Sequence, residues 1–312
     1  MKSIATIVAA VAVIAASPTL LAQWPRHEIA GVPKGPDGTP NLDAPTPRTA
    51  DGKPDLSGVW AIIPCIDCPA GGRGGAAGQG RGANAAPAAQ ETGDTATPGG
   101  RGRGAAGAAP GGGRGQQRAS FGNIGGDVPE GAPYQPWAAD LVKKRMADNS
   151  KDNPDANCLP MGIAQLNAHP YPRKIIQTPS EILLIYEGSG TTVREVFLDG
   201  RTPPKDPEPW WNGYSVGRWE GDTLVVETSG FMDEGWLDVR GSPLTSAGKV
   251  TERFRRPRYG YLELEETIDD PKAYTKPFSA KLYYRISTDT QLIEFVCIDK
   301  DAAHYVGATP PK

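Results

Sequence analysis

Three side chains of this protein could carry out acid–base chemistry: His169, Glu227 and Arg194. His169 lies in a proline-stiffened segment, and an imidazole can act as a general base near neutral pH. Glu227 ends an apolar stretch typical of a strand, so it could point into a barrel and pair with Arg194. For His169 and Glu227 the alternative is an exposed position without a role. Together they predict a hydrolase or lyase, with Arg194 or Arg201 holding an anionic group.

A second set of residues could bind a ligand without reacting with it. Trp210 and Trp211 follow a proline-rich segment, and Tyr214 comes shortly after them. Exposed indole faces stack on sugar rings or aromatic ligands, and loops often carry binding residues. We therefore expect Trp210, Trp211, Tyr214 and Arg201 to hold a small-molecule or carbohydrate ligand. The alternative is that both tryptophans close one end of a barrel as core residues.

The four cysteines predict disulfides. An even number of cysteines in an oxidising compartment favours disulfides over metal sites, although three pairings exist. We expect Cys158–Cys297 to be the structural bridge, because it would tie the entry of the core to its last strand. Closing so long a loop stabilises a fold by up to about 5 kcal/mol. Cys65 and Cys68 could then form a local disulfide or a redox pair.

Several function classes lack their sequence signals. The three histidines, His27, His169 and His304, are isolated and do not have the spacing of metal ligands. The chain has no nucleophile elbow, phosphate-cradling loop or dinucleotide fingerprint, so we expect neither a metal nor a cofactor. Its net charge of −3 predicts no nucleic-acid partner. The oligomeric state stays open.

Composition changes along the chain set the domain organisation. A charged start, a short apolar run and a small-residue exit predict a signal peptide, and hence a periplasmic or secreted protein. The apolar run is too short for a transmembrane segment. A later stretch rich in Gly, Arg and Ala cannot bury enough apolar area to fold, so it is predicted to be disordered. The predicted segments are a signal peptide (1–22), a proline-rich arm (23–54), a first core strand (55–68), the disordered insertion (69–126) and a β-rich core (127–312).

The core is predicted to be a series of short strands. Leu262, Leu264 and Ile268 alternate with polar residues, as a half-buried strand requires. Glu220-Gly221-Asp222 is typical of a tight hairpin. Turn signals about every 8–12 residues favour a mainly β fold, an antiparallel β-barrel (lipocalin-like) or a sandwich. The predicted strands are 55–63, 174–178, 182–187, 192–198, 214–219, 223–228, 250–256, 261–268, 282–286 and 292–297, and the one helix is 137–148.

The core contains the motifs Cys158-Leu159-Pro160-Met161-Gly162 and Trp236-Leu237-Asp238, among others. These motifs resemble those of a family of exported β-rich bacterial proteins to which no activity is assigned. The resemblance covers about 137–301 and implies export and a β-rich fold, without an activity. Relatives often carry Gly-His-Pro-His where this chain has Gly241-Ser242-Pro243-Leu244, so chemistry of those histidines does not carry over. Gly58-x-Trp60 is similar to the Gly-x-Trp of lipocalins. A further matching motif is Ser215-Val216-Gly217-Arg218-Trp219-Glu220-Gly221-Asp222-Thr223-Leu224-Val225-Val226-Glu227-Thr228.

Three functions follow from these patterns. The first is an exported barrel that binds a small apolar, aromatic or carbohydrate ligand through the Trp210–Trp211 segment. The second is a secreted hydrolase or lyase acting on a glycan or a plant-derived aromatic compound, with His169 or Glu227 as the base. The third is an envelope-associated structural protein whose Arg-rich insertion contacts polyanionic surface polymers.

Overall fold

A computed structural model describes residues 28–66, 124, 131–188 and 192–297. The chain separates into two units, residues 1–66 with 117–312 and residues 67–116. The predicted signal peptide and Cys68 lie outside the described residues. So does the predicted insertion, with the exception of Ile124, which is buried in an apolar cluster of the first unit.

The described part of the first unit is mainly β. None of its helices combines the length and the apolar composition that crossing a membrane would need. The strands are β1 Gly58–Ile63, β2 Arg173–Gln177, β3 Glu181–Tyr186, β4 Val193–Phe197, β5 Tyr214–Glu220, β6 Thr223–Ser229, β7 Lys249–Arg258, β8 Tyr261–Asp269 and β9 Phe278–Ser287. The helices are α1 Pro136–Ala147, a 3₁₀ turn Pro154–Asn157 and α2 Ile163–Ala168.

The nine strands close into a barrel in chain order, with β9 paired to β1. A barrel was one of the two predicted architectures, and the sandwich is wrong. Among the described strands, only β4 and β5 run parallel, and their ladder joins Val196 to Ser215 and Phe197 to Val216. The remaining neighbours are antiparallel. We call the β4–β5 junction the seam, because it is held by two register pairs alone.

Alternation along the strands decides which side chains fill the barrel. On β8, Leu262, Leu264 and Ile268 are buried, whereas Glu263 and Glu265 face outwards and pair with basic side chains. Successive side chains of a strand point to opposite faces, so this register buries one whole set. The predicted Gly221 hairpin between β5 and β6 is confirmed, and its glycine has the positive φ of +61° that such a turn needs.

The two ends of the barrel are covered differently. The N-terminal arm lies against the β7–β8 turn, where Leu42 and Ala44 carbonyls accept the N–H groups of Gly260 and Tyr259, both at 2.8 Å. α2 covers the opposite end, at which β2 begins, and all six of its residues are buried. α1 packs at that same end through Ala138, which is fully buried with the second apolar cluster.

Three predictions can be compared directly with these elements. The helix predicted at 137–148 is confirmed as α1. The tenth strand predicted at 292–297 is wrong, because β9 already pairs with β1 and leaves no free edge. The segment is held instead by Glu187, which accepts the Ile293 N–H at 3.1 Å, and by the predicted Cys158–Cys297 disulfide, which is confirmed.

Candidate functional site

The seam brings chemistry-bearing side chains to both faces of the barrel wall. Arg194 and Val196 of β4 are buried inside, whereas Phe197 is half-buried on the outside. On β5, Ser215 is buried inside and its neighbour Tyr214 is half-buried outside. The buried polar residues around Arg194 are called the inner network; they are Asn167, Arg173, Tyr186, Arg194, Ser215, Thr228, Glu252, Glu266 and Tyr284. We call Phe197, Asp199, Arg201, Trp210 and Tyr214 the outer cluster.

Arg194 ties the seam to the next strands from inside. Its Nη1 donates to Glu252 Oε1 at 3.0 Å, and its Nη2 donates to Glu252 Oε2. Its Nε donates to Ser215 Oγ at 3.0 Å, and Nη2 also donates to Thr228 Oγ1 at 2.9 Å. Both charged side chains are almost fully buried. Because loss of one partner strands a buried charge, such a pair belongs to the structure of the barrel.

Asn167, at the end of α2, is the centre of the inner network. Its amide Nδ2 donates to Glu252 Oε1 at 2.9 Å and to Glu266 Oε1 at 2.5 Å. Its Oδ1 accepts the Tyr186 hydroxyl at 2.8 Å, and its backbone carbonyl accepts the Tyr284 hydroxyl at 2.9 Å. A single residue therefore pins α2 to β3, β7, β8 and β9.

Arg173 completes the network from β2. Its Nη1 donates to Asn167 Oδ1 at 3.2 Å and to the Tyr284 hydroxyl oxygen at 3.1 Å. The guanidinium lies 4.3 Å from the centre of the Tyr284 ring and 5.4 Å from that of Tyr186. Cation–π contacts of this kind are strengthened when the cation is desolvated. Within the described residues, Arg173 Nε and Glu266 Oε2 are buried without a hydrogen-bond partner.

Glu266 is a carboxyl group in an environment that disfavours its charge. Burial and, after it, the neighbouring Glu252 raise its pKa to about 8, against the lowering effects of Asn167, Arg194 and Arg173. Glu252 and Glu266 are direct partners in the β7–β8 ladder, so their side chains share the same small volume. When one of two adjacent carboxyls is ionised, the second keeps its proton more readily.

The outer cluster lies on the opposite face and combines Phe197 and Tyr214 of the two strands with three residues of the segment between them. The Tyr214 ring lies 5.3 Å from Phe197 and 6.2 Å from Trp210, measured between ring centres. The Arg201 guanidinium stacks 3.8 Å from the centre of Phe197, and its Nη1 donates to the Tyr214 hydroxyl oxygen at 3.2 Å. Asp199 accepts from Arg201 Nε at 2.9 Å. Trp210 remains 53% exposed.

Backbone contacts hold Trp210 in place. Its N–H donates to the Gly230 carbonyl at 2.9 Å, and its carbonyl accepts the Met232 N–H at 3.1 Å. The chain then turns at Gly213, whose φ is +62° and whose missing Cβ would lie 2.7 Å from the Ser229 carbonyl oxygen. Only glycine fits there. The indole is therefore exposed on a fixed backbone.

The predicted ligand-binding residues are largely brought together. Arg201, Trp210 and Tyr214 share the outer cluster, and Trp211 is half-buried next to Trp210. The cluster also contains Phe197 and Asp199, which the sequence did not single out for binding. The alternative in which both tryptophans plug a barrel end does not fit Trp210, because its exposed ring lies on the outside.

The predicted pairing of Glu227 with Arg194 inside the barrel is wrong. β6 turns Val226 and Thr228 inwards, so Glu227 between them projects outwards. Arg218 Nη1 donates to Glu227 Oε1 at 2.6 Å on the outer surface, where both side chains are about half exposed. The buried acid that pairs with Arg194 comes from β7 instead.

His169 lies at the rim, just past α2. Its ring is 4.7 Å from that of Tyr171, whose backbone N–H donates to His169 Nδ1 at 3.4 Å. Its backbone carbonyl accepts from Arg173 Nη2 at 3.3 Å. Burial, together with Arg173, lowers the pKa of His169 to about 4, so the imidazole is neutral near pH 7. His169, Arg194 and Glu227 thus occupy the rim, the interior and the outer surface.

Sequence reasoning missed the acids of the inner network, although a signal was present. Glu266 falls between Leu264 and Ile268 in the inward register of β8, and Glu252 falls between inward residues of β7. An acid in an apolar register predicts a buried carboxyl group. Asn167 carried no such signal, because its helix is only six residues long and shows no periodicity.

Within the described residues, the acids of the inner network are not arranged as metal ligands. In the part of the chain that the structure describes, no three His, Cys, Asp or Glu side chains are grouped so that they could hold a metal ion. Glu252 is paired with Arg194, and Glu266 shares the Asn167 amide. The interior therefore offers buried polar groups that mostly bind one another, whereas the outer cluster offers exposed aromatic and polar groups.

Comparisons of this chain with protein-family models, with curated proteins and with solved structures find no match. The functional conclusion therefore rests on the geometry of the two faces of the seam.

Proposed function

We propose that this protein is an exported binding protein that holds a carbohydrate at the outer cluster. One observation carries the proposal: the Trp210 indole keeps 53% of its surface exposed although its backbone is hydrogen-bonded on both sides. Large apolar side chains that are exposed on a fixed backbone are typical of binding hot spots, since little entropy is lost when a ligand covers them.

The surroundings of Trp210 favour a sugar over a purely apolar ligand. A pyranose ring can lay its C–H face on the Trp210 and Tyr214 rings, which stand 6.2 Å apart. Its hydroxyl groups then meet the ion pair of Asp199 and Arg201, whose side chains are 37% and 42% exposed. An aromatic ligand would stack on the indole but would leave Asp199 and Arg201 without hydrogen bonds to the ligand. Planar, bidentate groups next to an aromatic face support recognition of hydroxyls.

The interior supports the proposal by contrast. The N–H groups of Arg194 donate to Glu252, Ser215 and Thr228. A ligand inside the barrel would therefore have to displace a buried ion pair. Breaking such a pair costs about 3–5 kcal/mol. A ligand on the outside meets no such cost.

Export is part of the proposal. The Cys158–Cys297 disulfide suits an oxidising compartment, and the first 22 residues predict a signal peptide. A periplasmic or secreted location would also give the outer cluster access to cell-wall or extracellular glycans.

A hydrolase or lyase is the weaker alternative. It would need its base and its anion-holding group at one site, whereas Arg194 is buried with Glu252 and Glu227 pairs with Arg218 outside. The envelope-associated alternative depends on residues 69–126 and is tested by deleting 69–116, which leaves the buried Ile124 in place, and measuring retention on cell-wall material.

The proposal can be tested by NMR on the mature chain, through the indole N–H signals of its tryptophans. Cellotriose, xylotriose, chitotriose and, as an aromatic competitor, 4-hydroxybenzoate are added in turn. We expect one oligosaccharide to move the signal that disappears in Trp210→Ala, and Trp137→Ala to bind it normally. If none of the sugars moves that signal while 4-hydroxybenzoate does, the site takes aromatic ligands. If nothing moves it, the proposed function is wrong.

A further inference from the structure

A separate groove lies where α1 meets two connecting segments. It has a volume of ≈ 520 Å³ and is lined by Trp137, Leu141, Arg145, Asp233, Pro243, Thr245 and Lys272. None of these residues belongs to the outer cluster or the inner network. The groove is therefore independent of the proposed carbohydrate site.

The helical wall of the groove is a single stripe. Trp137, Leu141 and Arg145 are spaced four residues apart on α1, so they lie one above the other on the same face. Trp137 is 46% exposed, and its indole N–H donates to the Lys272 carbonyl at 2.8 Å. This bond fixes the plane of the indole and holds the Lys272 segment beside it.

The opposite wall is also fixed. The Thr245 backbone N–H and hydroxyl donate to buried Asp270, at 2.7 Å and 2.9 Å. The Pro243 carbonyl accepts the Tyr274 hydroxyl at 2.8 Å. Because both sides are held by buried hydrogen bonds, the groove exists before a ligand arrives, which lowers the entropy lost on binding.

Charge in the groove is asymmetric. Arg145 and Lys272 are cationic, whereas Asp233 is the one acid among the lining residues. Asp233 accepts the Ser246 N–H at 2.6 Å, which occupies one of its oxygens. Arg145 Nη1 donates to the Gly241 carbonyl at 2.6 Å, and its guanidinium stacks 4.3 Å from Trp236. Lys272 is an exposed cation of the lining, and its backbone carbonyl lies at the N–H edge of the indole.

We infer that this groove binds a small carboxylate that carries an apolar or aromatic ring. The ring lies between Trp137, Leu141 and Pro243, and the carboxylate is held by Lys272. The apolar walls supply most of the affinity, because area burial dominates in small-ligand sites, and the ammonium group selects an anion over a neutral molecule.

The test is a titration of the mature protein with 1-naphthoate, with 1-naphthalenemethanol as the neutral counterpart. Isothermal titration calorimetry gives the Kd for every variant, and the indole N–H signals of the wild type locate the ligand. We expect naphthoate to move the Trp137 signal and to bind more tightly than the alcohol. Lys272→Gln should raise the naphthoate Kd about three- to fivefold and leave that of the alcohol unchanged, as expected for one exposed ion pair. Trp137→Ala should weaken both ligands about tenfold.

Two controls keep the result specific. Lys174→Gln removes an exposed lysine of β2, and Trp210→Ala removes the exposed indole of the outer cluster, so neither should alter naphthoate binding. Trp137→Phe retains the ring without the N–H and should keep most of the affinity if stacking is the main contribution. Equal binding of acid and alcohol, no effect of Lys272→Gln, or no binding by the folded wild type would each overturn the inference. Loss of naphthoate binding in Trp210→Ala would overturn it too, since the ligand would then be using the outer cluster.

Discussion

The two faces of the β4–β5 seam carry similar chemistry in opposite states. Inside, Arg194 pairs with Glu252 and both are almost fully buried. Outside, Arg201 pairs with Asp199, stacks on Phe197 and stays partly exposed. The inner arginine has its donors committed to strands β5, β6 and β7, whereas the outer one donates to Tyr214, whose ring lies 6.2 Å from that of the exposed Trp210. Similar residue types therefore hold the barrel together on one face and offer a surface for recognition on the other.

The difference follows from desolvation. A buried charge that loses its partner cannot be solvated by water, so its pairing contributes to the folding free energy. An exposed pair exchanges partners with solvent at little cost. The comparison predicts that changes on the inner face alter stability and that changes on the outer face alter binding.

The largest effect is expected from Glu252→Gln. It leaves Arg194 buried without a negative partner, so the free energy of unfolding should fall by about 3–5 kcal/mol. Urea unfolding followed by tryptophan fluorescence measures it. Glu227→Gln is the matched control, because Glu227 pairs with Arg218 on the outer surface and its loss should leave the urea midpoint nearly unchanged. Equal midpoints for the two variants would remove the distinction between the faces.

The second effect is a pH dependence that originates on the inner face. Burial raises the pKa of Glu266 from 4.5 to about 8, so the folded protein holds a proton there that the unfolded chain releases earlier. The contribution of Glu266 to stability should therefore fall as the pH rises from about 4.5 to about 8, whereas the lowered pKa of His169 acts in the opposite direction below about pH 6.5. The groups facing Glu266 are Glu252, Arg194, Arg173 and Tyr284, together with Asn167.

Glu266→Gln provides the check on that dependence. A glutamine keeps the size and the hydrogen bonding of the protonated acid but cannot ionise. Unfolding free energies measured in urea across this pH range should fall less steeply in the variant than in the wild type. An unchanged slope would mean that Glu266 does not hold the proton.

The third effect concerns the outer face. Trp210→Ala should change the free energy of unfolding by no more than about 0.5 kcal/mol, as is usual for an exposed side chain. Its backbone hydrogen bonds to Gly230 and Met232 remain available to alanine. Thermal unfolding measures this, and the same sample should fail to bind the oligosaccharide. A large loss of stability would show that the Trp210 side chain stabilises the fold.

The smallest effect on stability is expected from Asp199→Asn. The Asp199–Arg201 pair is exposed, and the guanidinium keeps its stacking on Phe197 after the substitution. The melting temperature should stay the same within error, whereas oligosaccharide affinity should fall about threefold through the loss of one acceptor. Unchanged affinity would remove Asp199 from the binding surface.

Much of this fold could be predicted from the sequence, because alternating patterns such as Leu262–Ile268 encode which face is buried. The hairpin at Gly221 and helix α1 were predictable for similarly local reasons. The Cys158–Cys297 pair was predicted for a long-range reason, because it ties the entry of the core to its end. The closure of β9 on β1 was not, since strand order depends on contacts between distant segments. The tenth strand was an error of the same origin.

The candidate site divides in the same way. Trp210, Tyr214 and Arg201 were grouped from the sequence because an aromatic cluster in a proline-rich segment is typical of a binding loop, and their role in binding stays a prediction. The pairing of Arg194 was missed, since Glu227 and Glu252 both lie in strands and only the register of each strand tells which acid points inwards. Asn167 was missed because one polar residue in a short helix reveals nothing about its contacts.

The most direct test compares Trp210 of the outer cluster with Ser215, which lies on the inner side of the seam. Isothermal titration with the oligosaccharide that binds best would be run on the wild type, Trp210→Ala and Ser215→Ala. Ser215 faces inwards and accepts from Arg194, next to the outward-facing Tyr214. We predict a loss of about tenfold or more in affinity for Trp210→Ala and less than about twofold for Ser215→Ala. The reverse order would contradict the account, because the ligand would then be bound through the interior of the barrel.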